Sequence, residues 1–189
     1  MSVAVLALQG AFIEHERMLA QLGVATHEVR QLADWRDHIH DALVIPGGES
    51  TVQLKLLREL GLLSPITEAI AAGMPVLGTC AGLILLSNDV VGEPAQRINT
   101  MDITVERNGY GRQLGSFHAT AHVKGAGADI PMSFIRAPKI LSLNAPDCEP
   151  LAVVDGVVVA ARQRNQLALA FHPELDGDLR MHQLFLDMI

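Results

Sequence analysis

Val76-Leu77-Gly78-Thr79-Cys80-Ala81-Gly82-Leu83-Ile84-Leu85-Leu86 reads as a strand, a sharp turn and a helix with almost nothing between them. Val76 to Gly78 is short and apolar and follows Pro75. Runs of this kind predict strands buried on both faces, as in a parallel sheet. Gly82 to Ser87 then predicts a helix start. Upstream the same alternation recurs. Val3 to Leu8 is an apolar run that stops at Gln9-Gly10. Glu14 to Leu22 has helical spacing, with Met18, Leu19 and Leu22 on one side and Gly23 as its stop. Thr26 to Arg30 predicts a second strand, and Ala42 to Ile45 a third that Pro46-Gly47-Gly48 breaks. Ser50 or Thr51 can cap the next helix, which Gly61 ends. Another helix runs from about Ser64 to Ala72. Strand and helix in alternation imply βαβ units with right-handed crossovers. The expected fold is α/β, a mostly parallel central sheet with helices on both faces in a flavodoxin-like three-layer arrangement.

From Thr100 onward the pattern changes. Ile103 to Glu106, Phe117 to Val123, Met132 to Ile135, Leu151 to Ala161 and Leu167 to Phe171 read as strands with short turns. Asp155-Gly156 between Val-rich runs is a hairpin signal. The second half should therefore add antiparallel strands. Leu179 to Ile189 predicts a closing helix with Met181, Leu184, Phe185 and Met188 at core spacing. With no linker or repeat, the 189 residues are expected to form a single domain, 1–189.

Apolar residues make up 49% of the chain and charged residues 19%, and mean hydropathy is +0.27, enough to exclude wholesale disorder. Fourteen basic residues face 21 acidic ones, for a net charge of −7, and no Lys/Arg run suggests a nucleic-acid partner. The apolar stretches fall far short of the roughly 20 residues that span a bilayer. Met1 to Leu8 lacks the basic region of a signal peptide. A cytoplasmic protein that engages no membrane is the expectation. Two cysteines are not a disulfide framework, and in the cytosol they stay reduced.

A free cysteine is commonly a small buried core residue. Cys80 has a different setting. Glycines at i−2 and i+2 between a strand and a helix resemble a nucleophile elbow, where flanking side chains would clash and the nucleophile adopts a strained backbone. That geometry exposes the sulfur at the carboxyl edge of the sheet, where open α/β folds bind ligands. The adjacent helix N-terminus favours thiolate. Cys148, in the loop Pro146-Asp147-Cys148-Glu149-Pro150, has no such setting and reads as filler.

A thiol nucleophile needs a base, and the base needs an orienting group. Of eight histidines, His172 alone is followed two residues on by a carboxylate directly after a buried strand, in Phe171-His172-Pro173-Glu174. Pro173 biases His172 toward extended backbone, from which Glu174 can reach the distal nitrogen of the ring and fix its tautomer. Pro46-Gly47-Gly48-Glu49-Ser50-Thr51 also follows a strand. Its glycines let backbone amides approach a ligand and even flip. Gly48, with the amide of Ala81, could form an oxyanion hole. A phosphate loop fails on spacing, because no Gly-Lys-Ser/Thr follows. His118 and His122 lie on a strand, where four residues span about 13 Å, too far for one metal ion. His38 and His40, beside Asp37 and Asp41, read as solvated, and Trp35 as a packing anchor. No metal or cofactor is expected. A cysteine peptidase or a silent binding subunit are the competing readings of these residues alone.

These motifs resemble the glutaminase subunits of pyridoxal 5′-phosphate synthases, a branch of the class I glutamine amidotransferases. Gly78-Thr79-Cys80-Ala81-Gly82 and His172-Pro173-Glu174 mark class I amidotransferases in general. Gly47-Gly48-Glu49-Ser50-Thr51, Glu106-Arg107-Asn108 and Ile135-Arg136-Ala137-Pro138 narrow the resemblance, joined by Leu6-Ala7-Leu8-Gln9-Gly10, Glu14-His15, Gly111-Arg112-Gln113 and Ser116-Phe117. Gly109 departs from the pattern by replacing a larger residue. The resemblance implies that Cys80, His172 and Glu174 form a catalytic triad. It implies that Gly47, Gly48, Glu49, Arg107, Ile135 and Arg136 line an L-glutamine site. It further implies that L-glutamine is hydrolysed to glutamate and ammonia, and that the ammonia passes to a synthase subunit in a heteromeric complex.

Overall fold

Short apolar runs bounded by glycine or proline become the strands of one large sheet. The computed structural model describes residues 1–94, 96–110 and 115–189; the Gly111-Arg112-Gln113 stretch lies outside the described residues. In chain order the elements are β1 (Ser2–Leu6), α1 (Phe12–Gln21), β2 (Ala25–Val29), α2 (Leu32–Arg36), β3 (Ala42–Ile45), α3 (Ser50–Glu59), α4 (Leu63–Ala71), β4 (Val76–Thr79), α5 (Ala81–Leu86) and β5 (Ser87–Val90). Then come β6 (Met101–Glu106), β7 (Ser116–Val123), β8 (Gly127–Ile135), β9 (Lys139–Leu143), β10 (Cys148–Val154), β11 (Val157–Gln163), β12 (Gln166–Leu169), a 3₁₀ turn (Pro173–Leu175) and α6 (Arg180–Leu186).

The sheet runs β2-β1-β3-β4-β12-β11-β9-β6-β5, with β10 on β11, and β7-β8 form a separate hairpin. From β2 to β12 every pairing is parallel. From β12 through β11 and β9 to β6 the pairing is antiparallel, and only β5–β6 returns to parallel. The expected mostly parallel core with antiparallel additions is what forms. Strand order reverses at β1, because β2 lies on one side of it and β3 and β4 on the other. Right-handed crossovers then put α1 on one face and the β3–β4 helices on the opposite face. Ligand sites open beside such a reversal, at the carboxyl edge.

The middle strands are apolar because both faces are covered. Val3, Val5, Leu43, Val44, Ile45, Leu77, Leu167 and Leu169 are all fully buried. Each such side chain contributes about 1.5–3 kcal/mol by leaving water. The Asp155-Gly156 turn has positive φ at both residues (49° and 77°) and pairs Val154 with Val157, as a two-residue hairpin requires.

Several local expectations are corrected. Neither Ser50 nor Thr51 caps α3: Ser50 is already helical, and Glu49 occupies the cap without a side-chain bond. The Glu49 amide is instead taken by the Gln9 side chain at 2.7 Å. His40 is not a solvated residue, since its ring stacks on His27 at 4.5 Å and lies 4.5 Å from Trp35. β5, β9 and α2 were not anticipated. Gly109 leaves room that Lys139 fills, its Cγ lying 2.6 Å from where a Cβ would stand.

The elbow glycines are sterically required. A Cβ on Gly82 would stand 2.1 Å from the Ile45 carbonyl oxygen, and one on Gly78 would stand 2.8 Å from the Gly82 carbonyl carbon. Both obstacles are backbone and cannot rotate away. Gly82→Ala is therefore expected to destabilise the fold by about 1–3 kcal/mol, a loss of roughly 2–4 °C in Tm per kcal/mol at this size. Gly115→Ala, with nothing among the described residues within 4 Å of the new Cβ, should leave Tm unchanged. Calorimetry of the two variants checks this; equal melting temperatures would contradict it.

Candidate active site

Four neighbouring parallel strands, β1, β3, β4 and β12, end side by side, and the chain leaves each at the same edge. β1 leads to Gln9-Gly10, β3 to Pro46-Gly47-Gly48, β4 to Cys80 and β12 to His172. A cleft of about 150 Å³ opens there, lined by Gln9, Gly48, Glu49, Ser50, Cys80, Ile84, Arg107, Asn108, Ile135, Arg136 and His172. A larger cleft of about 490 Å³ lies at the opposite edge, by Gly73, Asn165 and Gln166, and among the described residues no cysteine, histidine or carboxylate lines it.

Cys80 adopts φ 48° and ψ −96°. That is a strained conformation for a residue with a Cβ, of the kind that persists where surrounding structure imposes it. Here the Cys80 amide bonds to Leu169 O at 2.8 Å, and its carbonyl accepts from Ile84. Cys80 is 7% exposed, and its sulfur lies 3.9 Å from Ile135 O. Arg136 (φ 44°) and Asn108 (φ 50°), both at the cleft, share the left-handed region.

His172 is tied down from two directions. Its amide donates to Ser133 O at 2.8 Å. Ser133 is in turn clamped by the Asp176 carboxylate, through its amide at 2.9 Å and its hydroxyl at 2.5 Å. The ring meets Glu174 Oε1 at 2.7 Å. Two details of the expected His–Glu pairing change. Pro173–Leu175 is a 3₁₀ turn and not extended chain. The contact is at Nδ1, the ring nitrogen nearer the backbone. The curl of the turn brings the short Glu174 side chain back to that nitrogen and leaves Nε2 free to face the thiol.

Burial opposes charge on the His172 ring, but hydrogen bonding to Cys80 and Glu174 and their negative charge outweigh it. The ring is pushed up to about 10. Glu174 is held below the usual carboxylate range: its own burial raises it, but His15 and His172 outweigh that.

The Gly47–Gly48 loop is set by α1's leading turn. Gly47 O accepts from the Ala11 amide at 3.0 Å. In a trans peptide this turns the Gly48 N–H to the other side. Neither that N–H nor the Ala81 N–H has a hydrogen-bond partner among the described residues. Gly47 packs its Cα on the His172 ring, where a Cβ would stand 2.3 Å from Cε1.

A loose ionic cluster closes the outer rim. Glu49 lies 3.8 Å from Arg107 and 3.9 Å from Arg136, and Glu93 holds Arg107 at 2.9 Å. Every sequence-predicted site residue except Gly47, which sits behind Gly48 against His172, and the buried Ala81 and Glu174 lines the cleft itself. Cys148 is elsewhere, its thiol donating to Asp102 O at 3.4 Å. Sequence reasoning missed Ser50, Asn108, Ile84 and Glu93 as contributors. Ser50 is 5% exposed and its hydroxyl has no hydrogen-bond partner among the described residues. The composition of the Gly-Gly-Glu-Ser-Thr stretch hinted at Ser50; nothing local hinted at Glu93.

The SNO glutamine amidotransferase profile matches residues 5–189. The chain belongs to the SNO glutamine amidotransferase family. This amidotransferase is 58% identical, over 100% of its length and 98% of the relative, to the pyridoxal 5′-phosphate synthase subunit PdxT of Methanocorpusculum labreanum. It is 52% identical to the protein of the same name from Streptococcus pneumoniae strain CGSP14, over 100% and 97% of the two chains. A crystal structure of a glutamine amidotransferase superposes with a TM-score of 0.92 at 41% identity, covering 98% of this chain and 97% of the other. The structure of PurLQS from Thermotoga maritima superposes at 0.67 with 13% identity over 98% and 97%, a likeness of fold alone. The resemblance read from the motifs is borne out. Among the described residues, no helix is long and apolar enough to cross a membrane.

Because His172 is raised in the folded chain, its contribution to stability is complete below its unfolded value of 6.5 and is lost as pH climbs toward about 10. Glu174→Gln removes one source of that rise. The stability advantage of the parent over this variant is expected to be largest at about pH 6.5 and just below, and to shrink between about pH 6.5 and 10. In the variant the His172 ring should also titrate lower by NMR. An unchanged titration would contradict the assignment of Glu174 as its partner.

Proposed function

We propose that this amidotransferase hydrolyses the side-chain amide of L-glutamine with Cys80 as nucleophile, His172 as acid and base, and Glu174 as the orienting carboxylate. The observation that carries this is convergence. A thiol at the sheet edge, a carboxylate-held imidazole and the N–H of Gly48, unpartnered among the described residues, meet in one small cleft, and the likewise unpartnered Ala81 N–H follows Cys80 directly in the chain. The Cys80 thiolate attacks the amide carbon, and charge builds on the amide oxygen. The N–H groups of Gly48 and Ala81 accept that charge; one such donor is worth on the order of 10²–10³ in rate. The His172 imidazolium protonates the leaving ammonia. The neutral ring then takes a proton from water, which cleaves the thioester and releases glutamate.

The rim reads the amino-acid end of the substrate. Exposed ion pairs at 3.8–3.9 Å are weak and exchangeable. Glu49 can leave Arg107 and Arg136 for the α-ammonium, and the freed guanidinium groups then take the α-carboxylate. Gly47 and Ile135 shape the backbone around the substrate, and the Ser50 hydroxyl offers a further polar contact.

Relatives named as pyridoxal 5′-phosphate synthase subunits support a role in supplying ammonia to a synthase subunit within a cytoplasmic, heteromeric complex. The whole of 1–189 then serves as one amidotransferase domain. The orientation of the Gly47–Gly48 peptide rests on the Ala11 amide, one hydrogen bond in a surface turn. A synthase docked on the Gln9-Gly10 turn and the Gly47–Thr51 loop would therefore control the hole, and free ammonia would not be wasted when the acceptor is absent.

Steady-state ammonia release from saturating glutamine, with synthase subunit added in steps, tests both parts. The rate is expected to rise with partner, and a rate already high alone that never rises sinks the docking idea. Cys80→Ala should abolish hydrolysis, with a loss of at least about 10³-fold, while Cys148→Ala should be close to neutral. Near-normal ammonia release by Cys80→Ala removes the triad.

A further inference from the structure

Glu174 spends one carboxylate oxygen on His172. The other, Oε2, is buried without a hydrogen bond among the described residues, and His15 Nε2 lies 3.4 Å from it. His15, on α1, is fully buried. The same Nε2 is 3.2 Å from the hydroxyl of Thr79, the residue that precedes Cys80. His15 Nδ1 is 2.9 Å from Nε2 of His182, also fully buried, on α6. A file of side chains thus runs from the thiol through His172, Glu174 and His15 to His182. The mechanism above uses only its first three members.

The protonation of this file follows from its surroundings. Burial pushes His15 below its ordinary value and His182 down to about 3. The groups facing His15 are Glu174 and His172 from the turn, Glu14 on its own helix, and His182; the two carboxylates raise it, His172 lowers it, and burial prevails. Both rings are therefore neutral, with one N–H each. If His15 carried its proton on Nδ1, the Nε2 lone pair would point at an ionised carboxylate oxygen and repel it. With the proton on Nε2, that N–H faces Glu174 Oε2 and Thr79 Oγ1, and the His182 Nε2–H donates to His15 Nδ1. The charge on Glu174 selects the second arrangement.

We propose that His15 is a positioning residue of the triad: its neutral Nε2–H holds the second oxygen of Glu174, so that the carboxylate stays turned and ionised toward His172 Nδ1. His182 and Thr79 in turn fix the His15 ring. This rests on the triad reading. It also explains why a polar, sterically demanding side chain occupies a fully buried position on α1, where an apolar one would cost less to bury.

The test compares the parent, His15→Leu and His15→Gln in complex with the cognate synthase subunit, as ammonia release across about pH 5 to 10. His15→Leu is expected to lose roughly 10–100-fold in kcat, with KM for glutamine nearly unchanged, because an outer partner of a catalytic group is removed. Its pH–rate limb should move to lower pH, since a less well held carboxylate supports the His172 imidazolium less. His15→Gln, which can still donate to Oε2, should recover most of the loss. A second readout needs no variant: ring ¹⁵N shifts of the parent should show His15 neutral with its proton on Nε2 throughout the active range. A bare Nε2, a charged His15 in that range, or a folded His15→Leu with parental kcat and pH profile overturns the proposal. If His15→Leu does not fold, the tautomer decides. Cys80→Ala distinguishes the two levels. An active Cys80→Ala removes the triad itself, whereas an inactive one beside a parental His15→Leu removes only the role of His15.

Discussion

The close approach of Gly82 to the Ile45 carbonyl is the constraint on which the site is built. A Cβ there would stand 2.1 Å from that oxygen, so α5 lies against the end of β3 with no side chain between. This contact lets the chain turn from β4 into α5 within a single residue. Cys80 absorbs the turn at φ 48°. Its strain is held by the Leu169 carbonyl on one side and the start of the helix on the other. Were the helix any farther from the sheet, the sulfur would sink into the core like an ordinary buried cysteine.

Parallel register then does what no single motif can. Ile45 pairs with Gly78, and Thr79 with Leu169, so β3, β4 and β12 end at one level. The loop that bears the glycines, the elbow and the histidine turn therefore leave the sheet together, although they are far apart in the chain. α1 links them again. Its leading turn holds the Gly47 carbonyl, and its His15 faces Glu174. The Gly47–Gly48 loop and Glu174 are thus tied to the same short helix. The rim is built on a different principle. The two ion pairs of Glu49, with Arg107 and Arg136, are long and partly solvated, which makes them poor contributors to stability but easy to exchange for other charges.

The elements that escaped sequence reading share a physical character. β5 is polar at its centre and follows α5 directly, without a turn signal. β9 pairs at both edges but carries exposed Ser142 and Leu141, so its side-chain pattern is mixed. α2 has five residues, below the length at which periodicity shows. Ser50 does not cap α3 because the helix begins one residue earlier than that role requires: the Glu49 carbonyl already accepts the Gln53 amide, and the Gln9 side chain holds the Glu49 amide in place. His172-Pro173-Glu174 was read correctly as a pair but with the wrong backbone, since a proline restricts its own φ and its predecessor's without excluding a 3₁₀ turn after it.

By itself the sequence determined the parallel α/β core and singled out Cys80, His172 and Glu174 as the residues proposed here for nucleophile, base and orienting carboxylate. These are local matters: apolar runs of strand length, glycines forced by a sharp turn, and a carboxylate two residues from a ring. Only the tertiary structure decided which ring nitrogen Glu174 holds, that Glu93 braces Arg107, and that His15 and His182 stand behind the triad. Those relations join residues from α1, β4, the β5–β6 loop and α6. A buried histidine within a helix has the same sequence signature whether it faces a methyl group or a carboxylate. The difference lies in what the fold packs against it.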